Sequence, residues 1–115
     1  MKILIIDDSE QFLELAAHTC AELGHEQIKA VNGYEGLALI KKHKPDLVIT
    51  DIDMPELDGI NVSEIASARG YTVYIMTGND TPYDKALASM SGADGYLVKD
   101  ANLAANLKAA LEVLA

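Results

Sequence analysis

A chain of 115 residues, half of them hydrophobic, has the length for one domain with a real core and is too apolar to stay disordered. Its formal net charge of -9 argues against a surface for nucleic acid or anionic lipid, since both reward Lys and Arg, and suits a protein that meets cations or basic partners. The single Cys20 excludes an internal disulfide, and no apolar run reaches about 18 residues, so no membrane span is expected.

The opening run Lys2-Ile3-Leu4-Ile5-Ile6 is an apolar strand ended by Asp7 and Asp8. Acids follow it at once and no small-residue cleavage site appears, so it is not a secretory leader, and a cytoplasmic location is expected. Phe12, Leu13, Leu15, Ala16, Cys20 and Leu23 then recur at helical spacings, which predicts a helix with these side chains inward, stopped at Gly24. Gln27 to Val31 is a weaker strand, and Asn32-Gly33 is a turn. Tyr34 to His43 is a second helix, with Leu37 and Ile40 inward and Lys41-Lys42 outward, ended by Pro45.

Leu47 to Thr50 reads as a buried strand that runs straight into Asp51. Pro55 and Asp58-Gly59 mark a loop before a third helix from Gly59 to Arg69. Thr72 to Met76 is the fourth strand, ending in Thr77-Gly78-Asn79. Thr81-Pro82 has the form of an N-cap with proline at the first helical position, opening a short helix through Met90. Tyr96 to Val98 is the fifth strand, ending in Lys99; Asp100 then caps a last helix through Leu114, with Leu103, Leu107, Leu111 and Leu114 as its inward stripe. Cys20 is expected in the core, and His18, His25 and His43, which share no ligand spacing, are expected in solvent.

Five strands alternating with five helices predict one α/β domain over residues 1–115, a (βα)5 doubly wound parallel sheet. Right-handed crossovers put every strand's carboxyl end on one rim, where such sheets hold ligands. Asp7, Asp8, Asp51, Asp53, Thr77 and Lys99 all fall there. Carboxylates gathered about 4 Å apart repel by about 4 kcal/mol per pair at an effective dielectric near 20, so the cluster must hold protons or a cation. Oxygen donors suit Mg²⁺, with Mn²⁺ the alternative, and magnesium favours phosphate oxygens. Lys99 and Thr77 add a positive charge and a hydroxyl for phosphoryl oxygens. A carboxylate can itself be the nucleophile, and Asp51, alone at the third strand end, is the best candidate.

With these residues in place the chain resembles a response-regulator receiver domain, the phospho-acceptor module of two-component signalling, from Met1 to Leu114. The resemblance implies a flavodoxin-like sheet of strand order 2-1-3-4-5. It implies Mg²⁺ held by Asp7, Asp8, Asp51 and the backbone carbonyl of Asp53, with a phosphoryl group accepted on Asp51. Thr77 and Lys99 take the assisting roles, Thr77 and Tyr96 form a switch, and the side chains of Asp53 and Asn79 modulate the site. The implied partners are a histidine kinase or phosphotransfer protein, and a downstream target or second copy meeting the fourth helix, fifth strand and fifth helix. The protein is then a signalling module that assists its own phosphorylation, not an enzyme. Where the family usually has proline after the lysine, this chain has Asp100; a trans bond is expected, since a cis bond to a non-proline residue costs about 2.5–4 kcal/mol.

Singly, each position has a plainer account. Asp8 could cap the first helix with Gln11 completing a capping box, Thr77 could shape a turn, Lys99 could be solvated and Tyr96 could merely pack. Together these require several coincidences. Two other functions compete: a haloacid-dehalogenase-like phosphatase, whose Asp-x-Asp signature Asp51-Ile52-Asp53 resembles, and a receiver-like module that binds partners without phosphorylation. The first is disfavoured by the acid pair and two strands that precede the signature. A flavin- or nucleotide-binding module is weaker still, because no Gly-rich loop follows the first strand.

Overall fold

The computed structural model describes residues 1–114. Five strands alternate with five helices: β1 (Lys2–Ile6), α1 (Glu10–Glu22), β2 (Glu26–Ala30), α2 (Gly33–His43), β3 (Leu47–Asp51), α3 (Gly59–Ala68), β4 (Val73–Thr77), α4 (Pro82–Met90), β5 (Gly95–Val98) and α5 (Leu103–Leu114). The strands form one parallel sheet in the order β2-β1-β3-β4-β5, as expected. No helix among the described residues is long and apolar enough to cross a membrane.

Successive strand residues face opposite sides, and a sheet covered on both faces needs apolar side chains on both. Ile3, Ile5, Leu47 and Ile49 pack with Leu13, Ala16, Ala17 and Cys20 of α1 and with Leu103, Leu107 and Leu111 of α5. Leu4, Ile6 and Val48 pack on the other face with Ile40 of α2 and with Val62 and Ala66 of α3. Each fully buried Leu or Ile contributes roughly 1.5–3 kcal/mol of transfer free energy. Cys20 is fully buried, and desolvation pushes its thiol up to about 11, so it acts as a small core side chain.

Several boundaries and burials differ from expectation. β2 sits one residue earlier, at Glu26–Ala30, because Ile6 pairs with Ala30, which leaves Val31 outside and exposed. α5 starts at Leu103. Asp100 does not cap it directly: its Oδ1 accepts from Asn102 N at 2.8 Å, so Asp100 to Asn102 form a turn before the helix. Leu114 at 36 % and Leu15 at 37 % exposure leave the predicted inward stripes, each lying at the margin of its helix's apolar face. Ser9, not Asp8, is the N-cap of α1, and it makes no side-chain cap. Thr81 caps α4 as predicted, its side chain accepting from Asp84 N, and Pro82 opens the helix. His25 and His43 are half-buried rather than solvated; His25 Nδ1 lies 2.7 Å from the Met1 amino group.

Candidate functional site

Sheet register assembles the site. Ile6 pairs with Thr50, so Asp7 and Asp51 are level on neighbouring strands. Asp51 pairs with Met76, which puts Thr77 one step further on, and Thr77 pairs with Val98, which brings Lys99 to the same rim. Asp7 and Thr77 are fully buried and Asp51 is 5 % exposed, whereas Asp8 is open to solvent. One carboxylate oxygen from each of Asp7, Asp8 and Asp51 lies within 4.8 Å of the others.

The lysine ties two of the acids together. Lys99 Nζ is 2.6 Å from Asp7 Oδ2 and 3.1 Å from Asp51 Oδ2. It also lies 4.6 Å from the centroid of the Phe12 ring, a cation–π contact. Phe12 is the site residue that sequence reasoning missed. Its helical spacing marked it as a core side chain, and nothing local to residue 12 signals a lysine 87 positions away.

Asp7 Oδ1 accepts from Ser9 N at 2.9 Å. Asp7 Oδ2 is buried against the Lys99 ammonium at 2.6 Å, a charge-assisted contact. A buried carboxylate oxygen in that condition is costly in isolation and well suited to a cation. Asp51 is pushed up to about 6, first by burial and then by the Asp7 charge, against the opposing pull of Lys99, with Asp8 adding to the rise. Three carboxylates and one ammonium leave two formal negative charges, which a divalent cation would balance. The donor set therefore fits Mg²⁺, with Asp7, Asp8 and Asp51 as the side chains to hold it.

A second group of contacts runs from Thr77 outward. Thr77 Oγ1 accepts from Asn79 N at 3.0 Å. Asn79 Nδ2 donates to Asp53 Oδ2 at 3.3 Å, and the Tyr96 hydroxyl donates to Asn79 O at 3.5 Å. Asn79 thus joins Thr77, Asp53 and Tyr96. Asp53 is exposed, and its carboxylate engages Asn79 rather than joining the three converging acids. Tyr96 is half-buried; burial, then Asp80 and Asp84, raise its hydroxyl above the ordinary range. The described residues contain no cis peptide bond, so the Lys99–Asp100 link is trans.

The loop after Asp51 is held by glycine. Gly59 N donates to Ile52 O at 2.9 Å, and a β-carbon at Gly59 would collide with the Asp51 carbonyl. Asp58 caps α3 by accepting from Asn61 N at 2.9 Å.

A doubly wound parallel sheet with an acidic cluster at the rim between β1 and β3 defines an α/β protein whose acids converge at its topological switch point. The response regulator receiver domain family matches residues 3–112, and the chain belongs to that family. It is similar to protein PilH of Pseudomonas aeruginosa, with 36 % identity over 99 % of this chain and 98 % of that protein. It is 34 % identical to the alkaline phosphatase synthesis transcriptional regulatory protein PhoP of Bacillus subtilis over 85 % of this chain, but spans only 42 % of that protein. Among solved structures, the chemotaxis response regulator CheY4 of Vibrio cholerae superposes with a TM-score of 0.88 at 28 % identity, covering 99 % of this chain and 98 % of that one.

Proposed function

We propose that this receiver accepts a phosphoryl group on Asp51 in a Mg²⁺-dependent reaction and changes its surface for a partner. The observation that carries this reading is the placement of Asp51, buried at the end of β3 with Lys99 Nζ 3.1 Å away and Asp7 and Asp8 beside it. Phosphoryl transfer asks for positioning and charge neutralisation more than for covalent machinery, and these groups supply both. An Asp51 carboxylate oxygen attacks phosphorus, and the bond from phosphorus to the donor nitrogen of a histidine kinase or phosphotransfer protein breaks, its electron pair leaving with the imidazole. Mg²⁺, when bound to Asp7, Asp8, Asp51 and the Asp53 carbonyl, neutralises charge on the transferring group.

Lys99 then exchanges one carboxylate partner for a phosphoryl oxygen, and Thr77 Oγ1 leaves Asn79 N to donate to another. Movement of Thr77 disturbs Asn79 and with it the contact to the Tyr96 hydroxyl, a local charge change that reaches α4 and β5. In this role the protein is a signalling module that assists its own phosphorylation and dephosphorylation, working in the cytoplasm, where kinases present their phosphohistidine. The family match leaves the phosphatase alternative without support.

Acetyl phosphate with Mg²⁺ tests the reading against a receiver that is never phosphorylated. Intact-mass spectrometry should show one labile phosphoryl group on the native protein and none on Asp51→Asn. Stoichiometric labelling of Asp51→Asn, or no labelling of the native protein, would overturn it.

A further inference from the structure

At the opposite end of the sheet from the acid cluster, a cavity of about 290 Å³ opens between the C-terminal ends of α2 and α3. It is lined by Ile40, Lys41, Lys44, Arg69 and Tyr71. Three of the nine Lys and Arg residues of a chain with net charge -9 therefore meet at one cleft. Cations favour helix C-termini, where terminal carbonyls attract them. Here backbone donors take three of those carbonyls: Lys44 N reaches Ile40 O at 2.9 Å, Arg69 N and Tyr71 N each reach Ala66 O at 3.1 Å, and Gly70 N reaches Ser67 O at 3.0 Å, while His43 O accepts from Lys2 Nζ at 3.3 Å. Among the described residues, none of Lys41, Lys44 and Arg69 forms an ion pair with a carboxylate.

Lys44 adds a conformational argument. Its φ is 48°, the left-handed region that a helix end normally gives to glycine, and Pro45 follows, which restricts it further. A β-carbon there has a steric cost that glycine would avoid, and the side chain carried at that cost lines the cleft. The floor is apolar, with Ile40 1 % exposed, and the half-buried Tyr71 ring forms a wall. The volume is near the lower bound for small-molecule sites. Guanidinium and ammonium groups at the rim suit phosphate oxygens, and the open part of the Tyr71 ring suits a stacked base.

We propose that this cleft binds a nucleotide-class ligand, its phosphates on Lys41, Lys44 and Arg69 and its base against the Tyr71 ring. The site is separate from Asp51, so its failure would leave the phospho-acceptor reading untouched. An NMR titration with ADP in EDTA keeps divalent cations out of the acid cluster. ADP should saturably shift the amides of residues 40–44 and 69–71. The Lys44→Ala/Arg69→Ala variant should fold with an unchanged circular dichroism melt and bind about tenfold more weakly, as expected for two lost exposed charge contacts. Adenosine, without the charges, and pyrophosphate, without the base, should each bind at least about tenfold more weakly than ADP. Absence of saturable shifts, unchanged affinity in the folded double variant, or pyrophosphate binding as tight as that of ADP would each overturn the assignment.

Discussion

Burial, and then the neighbouring Asp7 charge, make Asp51 harder to ionise than an exposed aspartate. In the folded chain it is pushed up from 3.8 to about 6. In cation-free buffer, between these values, the unfolded chain releases the proton while the native chain retains it. The stability this group contributes is therefore present below about pH 4 and lost as pH rises past about 6. Asn at this position mimics the neutral acid, so Asp51→Asn should be more stable than the native protein above pH 6, by on the order of 2 kcal/mol, and the gap should close toward pH 4. Mg²⁺ should remove most of the gap. Urea denaturation of both proteins from pH 4 to 7, with and without Mg²⁺, measures this, and a pH-independent gap would contradict it. Asp53 belongs at the same scale. Its carboxylate accepts from Asn79 Nδ2 two residues along the chain from Asp51, in the loop that follows β3. Asp53→Ala should change the lifetime of the phosphoryl group several-fold, followed by loss of label over time; a lifetime within error of the native value would mean that the pair is only a surface contact.

At the scale of elements, the connection from β3 to α3 carries the tightest steric demand. The Asp51 carbonyl occupies the space that a side chain at residue 59 would need, and backbone cannot yield as a flexible side chain can. Gly59→Ala should therefore cost more than about 2 kcal/mol, an overpacking penalty set against a slight gain in helix propensity. It should also weaken Mg²⁺ binding, because the loop it displaces contains the Asp53 carbonyl. A urea midpoint unchanged from the native protein would refute the steric account. The C-terminal end of α4 is held differently: Ser91 Oγ donates to Ala88 O and accepts from Ser63 Oγ at 2.8 Å, and Ser67 Oγ donates to Ser91 O at 3.0 Å. These hydroxyls anchor the end of α4 to α3, while at its other end Thr81 N donates to Asn79 O, which makes the Thr81 end the one placed to respond to the site.

Across the whole molecule, charge is unevenly spread. α5 contains only two charged residues, Lys108 and Glu112, and its Ala105, Ala109 and Val113 are exposed. On α4, Tyr83 is 63 % and Met90 is 83 % exposed. Exposed apolar side chains gathered on neighbouring elements often mark interaction sites. Activation with beryllofluoride should therefore promote association through the α4–β5–α5 face. Sedimentation of the activated protein should show a dimer that Ala105→Glu and Ala109→Glu abolish. A native protein that stays monomeric would restrict the face to another partner, and partner binding unchanged by both substitutions would remove the idea.

Alternation of apolar runs with helical periodicity was enough, from sequence alone, to predict the class of fold, because strand and helix periods are local and right-handed crossovers then leave one rim for every strand end. The same logic puts Asp7, Asp8, Asp51, Thr77 and Lys99 on one rim. Local pattern does not reach contacts between side chains far apart in the chain. Phe12 under Lys99, Asn79 joined to Asp53 and Tyr96, and His25 against the Met1 amino group all depend on how helices and loops dock on the sheet. Helix margins behave likewise: Leu15 and Leu114 have the right spacing, but only the curvature of the packed face decides whether a residue at its edge is covered. The basic cleft is the clearest case, since Lys41 and Lys44 are separated from Arg69 by a strand and a helix, and tertiary packing alone makes them neighbours.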